Sequence, residues 1–252
     1  MKKSMIAASL LAAAATAPAQ AEYLYGFGNI SANYLDWSDG TSDRNGNLQN
    51  FSYVELEGGA GFSWGELYGF ADLEIPNENG SEVSTSVKAS IDVKTGLAGL
   101  NAYGQYYNTT GAGFTAQNSV LGLSYKVDGD WGFVKPWVGL HHTITTNAFN
   151  DSGENSFTGL NGGMAGLTAV YNFGAFDQSF SLTTWNEVEF ARVDDYITVS
   201  GETDDLSLNG AVAIWWNATD HFTTGIQYRY THNKLGMHDY GNAMIYSVKY
   251  NF

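Results

Sequence analysis

The stretch Ala243–Phe252, AMIYSVKYNF, alternates without a break. Met244, Tyr246, Val248, Tyr250 and Phe252 fall on one face of an extended chain, and Ile245, Ser247, Lys249 and Asn251 on the other, the period of two of a strand with a greasy and a wetter side. A soluble domain gains little from an aromatic strand at its end, because frayed termini bury poorly. A β-barrel in an outer membrane gains much: its final strand closes the sheet against the first, sets its apolar side in lipid and leaves an aromatic at the interface. The competing reading is the last strand of a soluble sandwich.

At the other end, Met1–Ala21 has the layout of a secretory signal. Lys2 and Lys3 precede an apolar run from Met5 to Ala15 that is too short to span a bilayer, and Ala19-Gln20-Ala21 is a small-x-small cleavage site. The expected organisation is therefore a removed leader, residues 1–21, and one barrel over residues 22–252. No later stretch has about 18 consecutive apolar residues, so a bundle of membrane helices is excluded. Cysteine is absent, which removes disulfide scaffolds and thiolate metal sites. Glycine (30) is abundant and proline (3) scarce, a balance that suits tight turns and long pleated strands. A net charge of −15 repels phosphate backbones and argues against nucleic acid as a partner.

The connections alternate. Long polar ones are read at Ser38 to Gln49, Ile75 to Glu82, Thr109 to Asn118, Thr146 to Thr158, Phe190 to Asp205 and Asn233 to Asn242. Short ones are read near Gly58 to Phe62, Lys94 to Gly99, Asp128 to Gly132, Gly174 to Asp177 and Asn217 to His221. Together they join twelve strands with both ends on the short-turn side, the arrangement of single-chain barrels of the bacterial outer membrane. In Gly132 to Thr145, Val134, Val138, Leu140 and Ile144 oppose Lys135, Trp137, His141 and Thr143. In Ala218 to Thr231, Phe222, Ile226, Tyr228 and Tyr230 oppose Thr223, Gln227, Arg229 and Thr231. The second face is too polar for a packed core, so the expected fold is an all-β transmembrane antiparallel barrel of about twelve strands with a polar lumen and its apolar face in lipid. Trp131, Tyr171, Phe173, Trp216, Phe222, Tyr250 and Phe252 gather near the short turns, where an interfacial girdle would sit.

Asn50–Glu74, NFSYVELEGGAGFSWGELYGFADLE, reads as a hairpin with Tyr53, Glu55 and Glu57 on one face, continued by Glu66, Tyr68, Asp72 and Glu74. Five carboxylates thus line one wall. The run aromatic-x-Glu-x-Glu (Tyr53, Glu55, Glu57), followed by acidic-x-Tyr-Gly-aromatic-x-Asp (Glu66, Tyr68, Gly69, Phe70, Asp72), resembles the second hairpin of the Tsx nucleoside-channel family and its OmpK relatives. The closing Tyr250-Asn251-Phe252 is similar as well. An alternating last strand ending in Phe also resembles the signal by which outer-membrane proteins are recognised for insertion, which implies a contact between Phe252 and the assembly machinery. The resemblance implies a narrow, water-filled lumen through which nucleosides diffuse, helped by weak binding.

The residues fit that chemistry independently. A nucleoside needs flat faces to stack on, worth about 1–3 kcal/mol per base, and donors or acceptors for its base edge and hydroxyls. Inward aromatic candidates are Tyr53, Tyr68, Trp137 and Trp185. Inward polar candidates are Glu55, Glu57, Asp72, Glu74, Arg229 and Lys249, any of which could instead be a lumen ion pair that braces the barrel. No cofactor is expected, and the histidines show no metal-ligand grouping. Acidic loop residues such as Asp151, Glu154, Asp194, Asp195, Asp204 and Asp205 read as solvated, with divalent-cation bridging to lipopolysaccharide as the alternative. Two other function classes stand beside the channel. A surface-recognition barrel, including a phage receptor, draws on the long loops. A barrel hydrolase would need Ser and His together on the outer wall; His142 faces outward, but no serine shares its face within two residues and the neighbouring strand suggests no partner.

Overall fold

The computed structural model describes residues 21–45, 48–76, 83–111, 113–146 and 156–252. Apart from Ala21, the expected leader lies outside these residues, as do Asp151 and Glu154. In chain order the strands are β1 (Tyr23–Trp37), β2 (Phe51–Phe62), β3 (Gly65–Pro76), β4 (Ser84–Lys94), β5 (Leu100–Gly111), β6 (Phe114–Tyr125), β7 (Val127–Gly129), β8 (Gly132–Thr146), β9 (Phe157–Ala175), β10 (Gln178–Phe190), β11 (Ser207–Asn217), β12 (Phe222–His232) and β13 (Tyr240–Asn251). Each long strand pairs antiparallel with its neighbours in sequence. β7 is a three-residue ribbon on the start of β8, and β6 bypasses it to pair with β8 directly. β1 pairs with β13 from Asn29↔Asn251 to Trp37↔Ala243, so twelve strands close on themselves. Closure satisfies every ladder and leaves no sheet edge in hydrocarbon, the condition for a sheet to cross a bilayer.

The two faces follow the period-two reading. Leu56, Leu73, Leu121, Val138, Leu140, Ile226, Tyr246 and Val248 are exposed on the outside of the barrel, where lipid would cover them. On the alternate positions of the strands, Asn29, Ser31, Asp92, Gln105, Ser124, His141, Thr143 and Ser247 are buried inside. Two apolar clusters interrupt this polar interior: Leu35, Trp37, Ala243 and Ile245, on which Leu48 and Leu235 of the long connections pack, and Tyr103, Val120, Trp137 and Met164. The lumen is thus not polar throughout.

Two connections have other bounds than their reading. Thr109 to Asn118 is not a long loop: β5 and β6 continue until Gly111 faces Phe114, and Thr110 Oγ1 and Thr115 Oγ1 share a hydrogen bond of 3.1 Å. Small polar residues mimic a loop in sequence, yet a strand that rises beyond the lipid has no need of apolar side chains. Similarly, Gly58 to Gly61 belong to β2, and the turn is Ser63-Trp64, since Phe62 pairs with Gly65. The glycines serve packing rather than turning. A Cβ on Gly59 would lie 2.6 Å from the ring of Phe27, which lies across the inner wall at that point.

On the long-loop side, the connection after β1 holds a short helix, α1 (Asp39–Ser42), and that after β10 holds α2 (Asp194–Ser200), closed by Gly201 at φ +70°. Phe190 to Asp205, read as a polar loop, is therefore a folded cap.

Candidate functional site

A charge that points into a closed barrel loses much of its water, so it must pair or rest on a polarisable face. The bore does both. Glu66, beside the Ser63-Trp64 turn, accepts hydrogen bonds from Tyr25 Oη and Lys126 Nζ, and Lys126 sits 5.2 Å from the centre of the Phe133 ring. Glu57 accepts from Tyr68 Oη (2.8 Å), Asn29 Nδ2 (3.0 Å) and Lys249 Nζ (3.1 Å). Lys249 in turn lies 4.2 Å from the centre of the Trp215 ring. Lys135 pairs with Asp92 at 2.6 Å beside Tyr103, and Lys88 pairs with Glu187 at 2.6 Å beside Trp185.

Register explains how the acidic wall is built. Glu55 faces Asp72 across β2–β3 and Ser31 across β1–β2, while Tyr53 faces Glu74. Glu74 is held by Ser84 Oγ (2.6 Å) and Ser86 Oγ (2.8 Å), which donate to its two oxygens. Tyr53 lies among the charges of Glu55, Asp72, Glu74 and Arg229. Arg229 rests on Trp37, 5.5 Å from guanidinium carbon to ring centre. Among the described residues, Asp72 Oδ1 and Arg229 Nε are buried without a hydrogen-bond partner. Asp72 and Arg229 interact electrostatically, and an acceptor and a donor so placed, with Tyr53 and Trp37 beside them, are what a solute with both kinds of group can bridge.

The predicted candidates therefore separate. Tyr53, Glu55, Asp72, Glu74 and Arg229 gather toward the long-loop end. Glu57, Tyr68 and Lys249 form a bonded set lower in the bore. Trp137 stands apart, 5% exposed and stacked on Tyr103 at 5.1 Å, with its ring flat over Gly166 where any Cβ would overlap it. Its faces are already occupied. Lys88, Asp92, Glu187 and Trp215 were not singled out from sequence. Alternation in Ser84–Lys94 (STSVKASIDVK) does put Lys88 and Asp92 inward, but no local pattern says which wall each will meet.

The cap is organised by Arg192. Its guanidinium bonds Glu202 and the carbonyl of Asp204 and lies 3.5 Å from Glu189, which also pairs with Lys234 of the connection before β13. Asn233 accepts from Thr203 N (2.9 Å) and donates to the carbonyls of Asp204 (3.0 Å) and Leu206 (2.7 Å). Burial pushes the Glu202 carboxyl above the usual carboxylate range despite Lys234 and Arg192. Lys234 is held well above the ordinary lysine value, because Glu189, Tyr196 and Glu202 outweigh its own desolvation.

On the outer wall the register supplies what sequence reasoning did not: Ser119 of β6 lies directly opposite His142 of β8. Pairing across strands cannot be read from one segment. Among the described residues no hydrogen bond joins the two.

A closed twelve-stranded barrel with an apolar outer wall and a bore of paired charges and aromatic faces defines an outer-membrane channel for small solutes, resident in the bacterial outer membrane. A family model described as "Nucleoside-specific channel-forming protein, Tsx" matches residues 32–252, and the chain belongs to that family. Among solved structures it is similar to the NanC porin, at 11% identity over 88% of this chain and 98% of that one, with a TM-score of 0.52. The KdgM porin matches at 10% identity over 89% and 99%, with a TM-score of 0.46. The outer membrane channel DcaP of Acinetobacter baumannii matches at 10% identity over 94% and 99%, with a TM-score of 0.42. At such identities the likeness to NanC is one of fold.

Proposed function

We propose that the bore passes nucleosides by passive diffusion with weak binding. The family description supports the cargo, and one observation carries the mechanism: Asp72 and Arg229 hold an unfilled acceptor and donor beside Tyr53 and Trp37. A base edge or ribose hydroxyl can satisfy both while the rings hold a flat face. Tight binding would defeat transport, so the affinity should lie near the millimolar range, on the order of −4 kcal/mol. In this reading the protein is a channel and no hydrolase, and Ser119 and His142 face each other on the outer wall away from the bore. Its surroundings would be lipid and lipopolysaccharide along the apolar wall, and the assembly machinery at Phe252. A surface-recognition role, such as that of a phage receptor, draws support from the cap, whose buried ion network holds one shape.

Planar-bilayer recording tests the channel reading: millimolar nucleosides should reduce the open-channel ion current reversibly. An ion current indifferent to nucleosides would overturn the nucleoside cargo. Release of fatty acids from phospholipid by the purified protein, lost in Ser119→Ala, would overturn the non-enzymatic reading.

A further inference from the structure

Lys88 and Glu187 come from facing walls. Their strands, β4 and β10, stand five strands apart in one direction round the barrel and seven in the other, so the 2.6 Å contact between Nζ and Oε1 spans the bore rather than running along it. Gln105 Nε2 donates to the same Oε1 at 3.2 Å, and Tyr103 Oη donates to Gln105 Oε1 at 2.7 Å, which braces the Glu187 end. Lys88 has an alternative resting place on the Trp185 ring, whose centre is 5.9 Å from Nζ. Both side chains are mostly shielded, at 19% and 14% exposure.

We infer that Lys88 and Glu187 form a transverse bar that selects uncharged solutes bearing both donors and acceptors, and disfavours ions of either sign. In this assignment a solute that passes this level parts the pair. A solute with a hydroxyl or N–H donor and an oxygen or ring-nitrogen acceptor can give a hydrogen bond to Glu187 and take one from Lys88, so both charges stay satisfied while it passes. An anion satisfies Lys88 but leaves Glu187 without its counter-charge and repelled; a cation does the reverse. The bar thus discriminates by requiring two complementary bonds at once. The assignment rests on the channel reading but not on nucleosides as cargo, so ion selectivity tests it separately.

The experiment compares wild type, Lys88→Gln, Glu187→Gln and the exchanged double variant Lys88→Glu/Glu187→Lys in planar bilayers under a salt gradient, after heat-modifiable gel mobility has shown which variants fold. Lys88→Gln should raise conductance several-fold and move the reversal potential toward cations. Glu187→Gln should raise it and move the reversal potential toward anions. The exchanged pair should return both quantities to near wild type, and should do so even if a single variant fails to assemble. Single variants with unchanged conductance and reversal potential, or an exchanged pair that differs from wild type as strongly as the singles, would overturn the bar whatever the nucleoside flux shows.

Discussion

Lys249 on the last strand stands 3.1 Å from Glu57 on the second and 4.2 Å from the centre of the Trp215 ring, so one ammonium ties three strands across the barrel's closing seam. Trp215 can lie so low because its neighbour on β12 is Gly225, where a Cβ would fall 2.5 Å from the carbonyl of Ile214 and overlap the indole. Lys249→Met should leave Glu57 without its counter-charge and cost about 1–3 kcal/mol. Urea unfolding in detergent should show that loss, and Glu57→Gln in the Lys249→Met background should recover part of it.

The orphan pair gives a test of binding as distinct from bracing. Asp72→Asn or Arg229→Gln should weaken nucleoside block several-fold, about 1 kcal/mol for each lost hydrogen bond, with the open-channel current nearly unchanged. A lower melting temperature with intact block would assign these charges to the barrel's architecture.

Trp137 is expected to behave as core. Trp137→Ala should cost about 3–5 kcal/mol, because Tyr103, Val120 and Met164 lose the ring they pack on. If thermal unfolding is unchanged while nucleoside block disappears, the indole is a binding face after all.

Proton linkage makes the cap pH-dependent. The folded cap holds the Glu202 carboxyl above its ordinary value, so it binds more protons there than when opened, and its stability falls as pH rises from about 4.3 through the raised value. Lys234, raised in the fold, contributes stability that is fully present below about 10.4 and is lost only as pH climbs through its still higher folded value. Hydrogen exchange at residues 193–204 should therefore show more protection at about pH 5 than at about pH 8 once intrinsic rates are divided out. Glu202→Gln should flatten that dependence.

Period two made the barrel legible: the inward run Tyr53, Glu55, Glu57 and the outward run Val54, Leu56 need no partner to be read. It also put Lys249 and Arg229 on the inward face, and closure of the last strand on the first brings them to the acidic wall. Pairings between distant walls were not legible, since Lys88 meets Glu187 only when tilt and register are fixed together. The same holds for Ser119 and His142, which a single register step would separate. Thr109 to Asn118 failed for another reason, because polarity signals the end of the membrane rather than the end of a strand. The cap was hidden in an acidic stretch: Asp194, Asp195, Asp204 and Asp205 are exposed as that reading had it, but Glu202, which it did not name, is buried against Arg192.

Removal of the Phe252 side chain should weaken the seam. Its N–H donates to the Gly28 carbonyl at 3.1 Å, and its ring covers Gly28 so closely that a Cβ there would sit 2.6 Å away. Phe252→Ala should reduce the heat-modifiable, assembled fraction far more than total synthesis; equal assembly would free the ring of that role.

The β1–β13 seam also sets an order of events. Every other long ladder joins consecutive barrel strands and can zip from its own turn, whereas this one must bring together segments from opposite ends of the barrel and so carries the largest loop-closure entropy. Until it forms, two strands with apolar outer faces present open edges at once, each a template for any other extended chain. The slowest step of folding is therefore also the interval of greatest exposure, and a cell that makes this barrel must keep its two edge strands apart from other chains until they find each other.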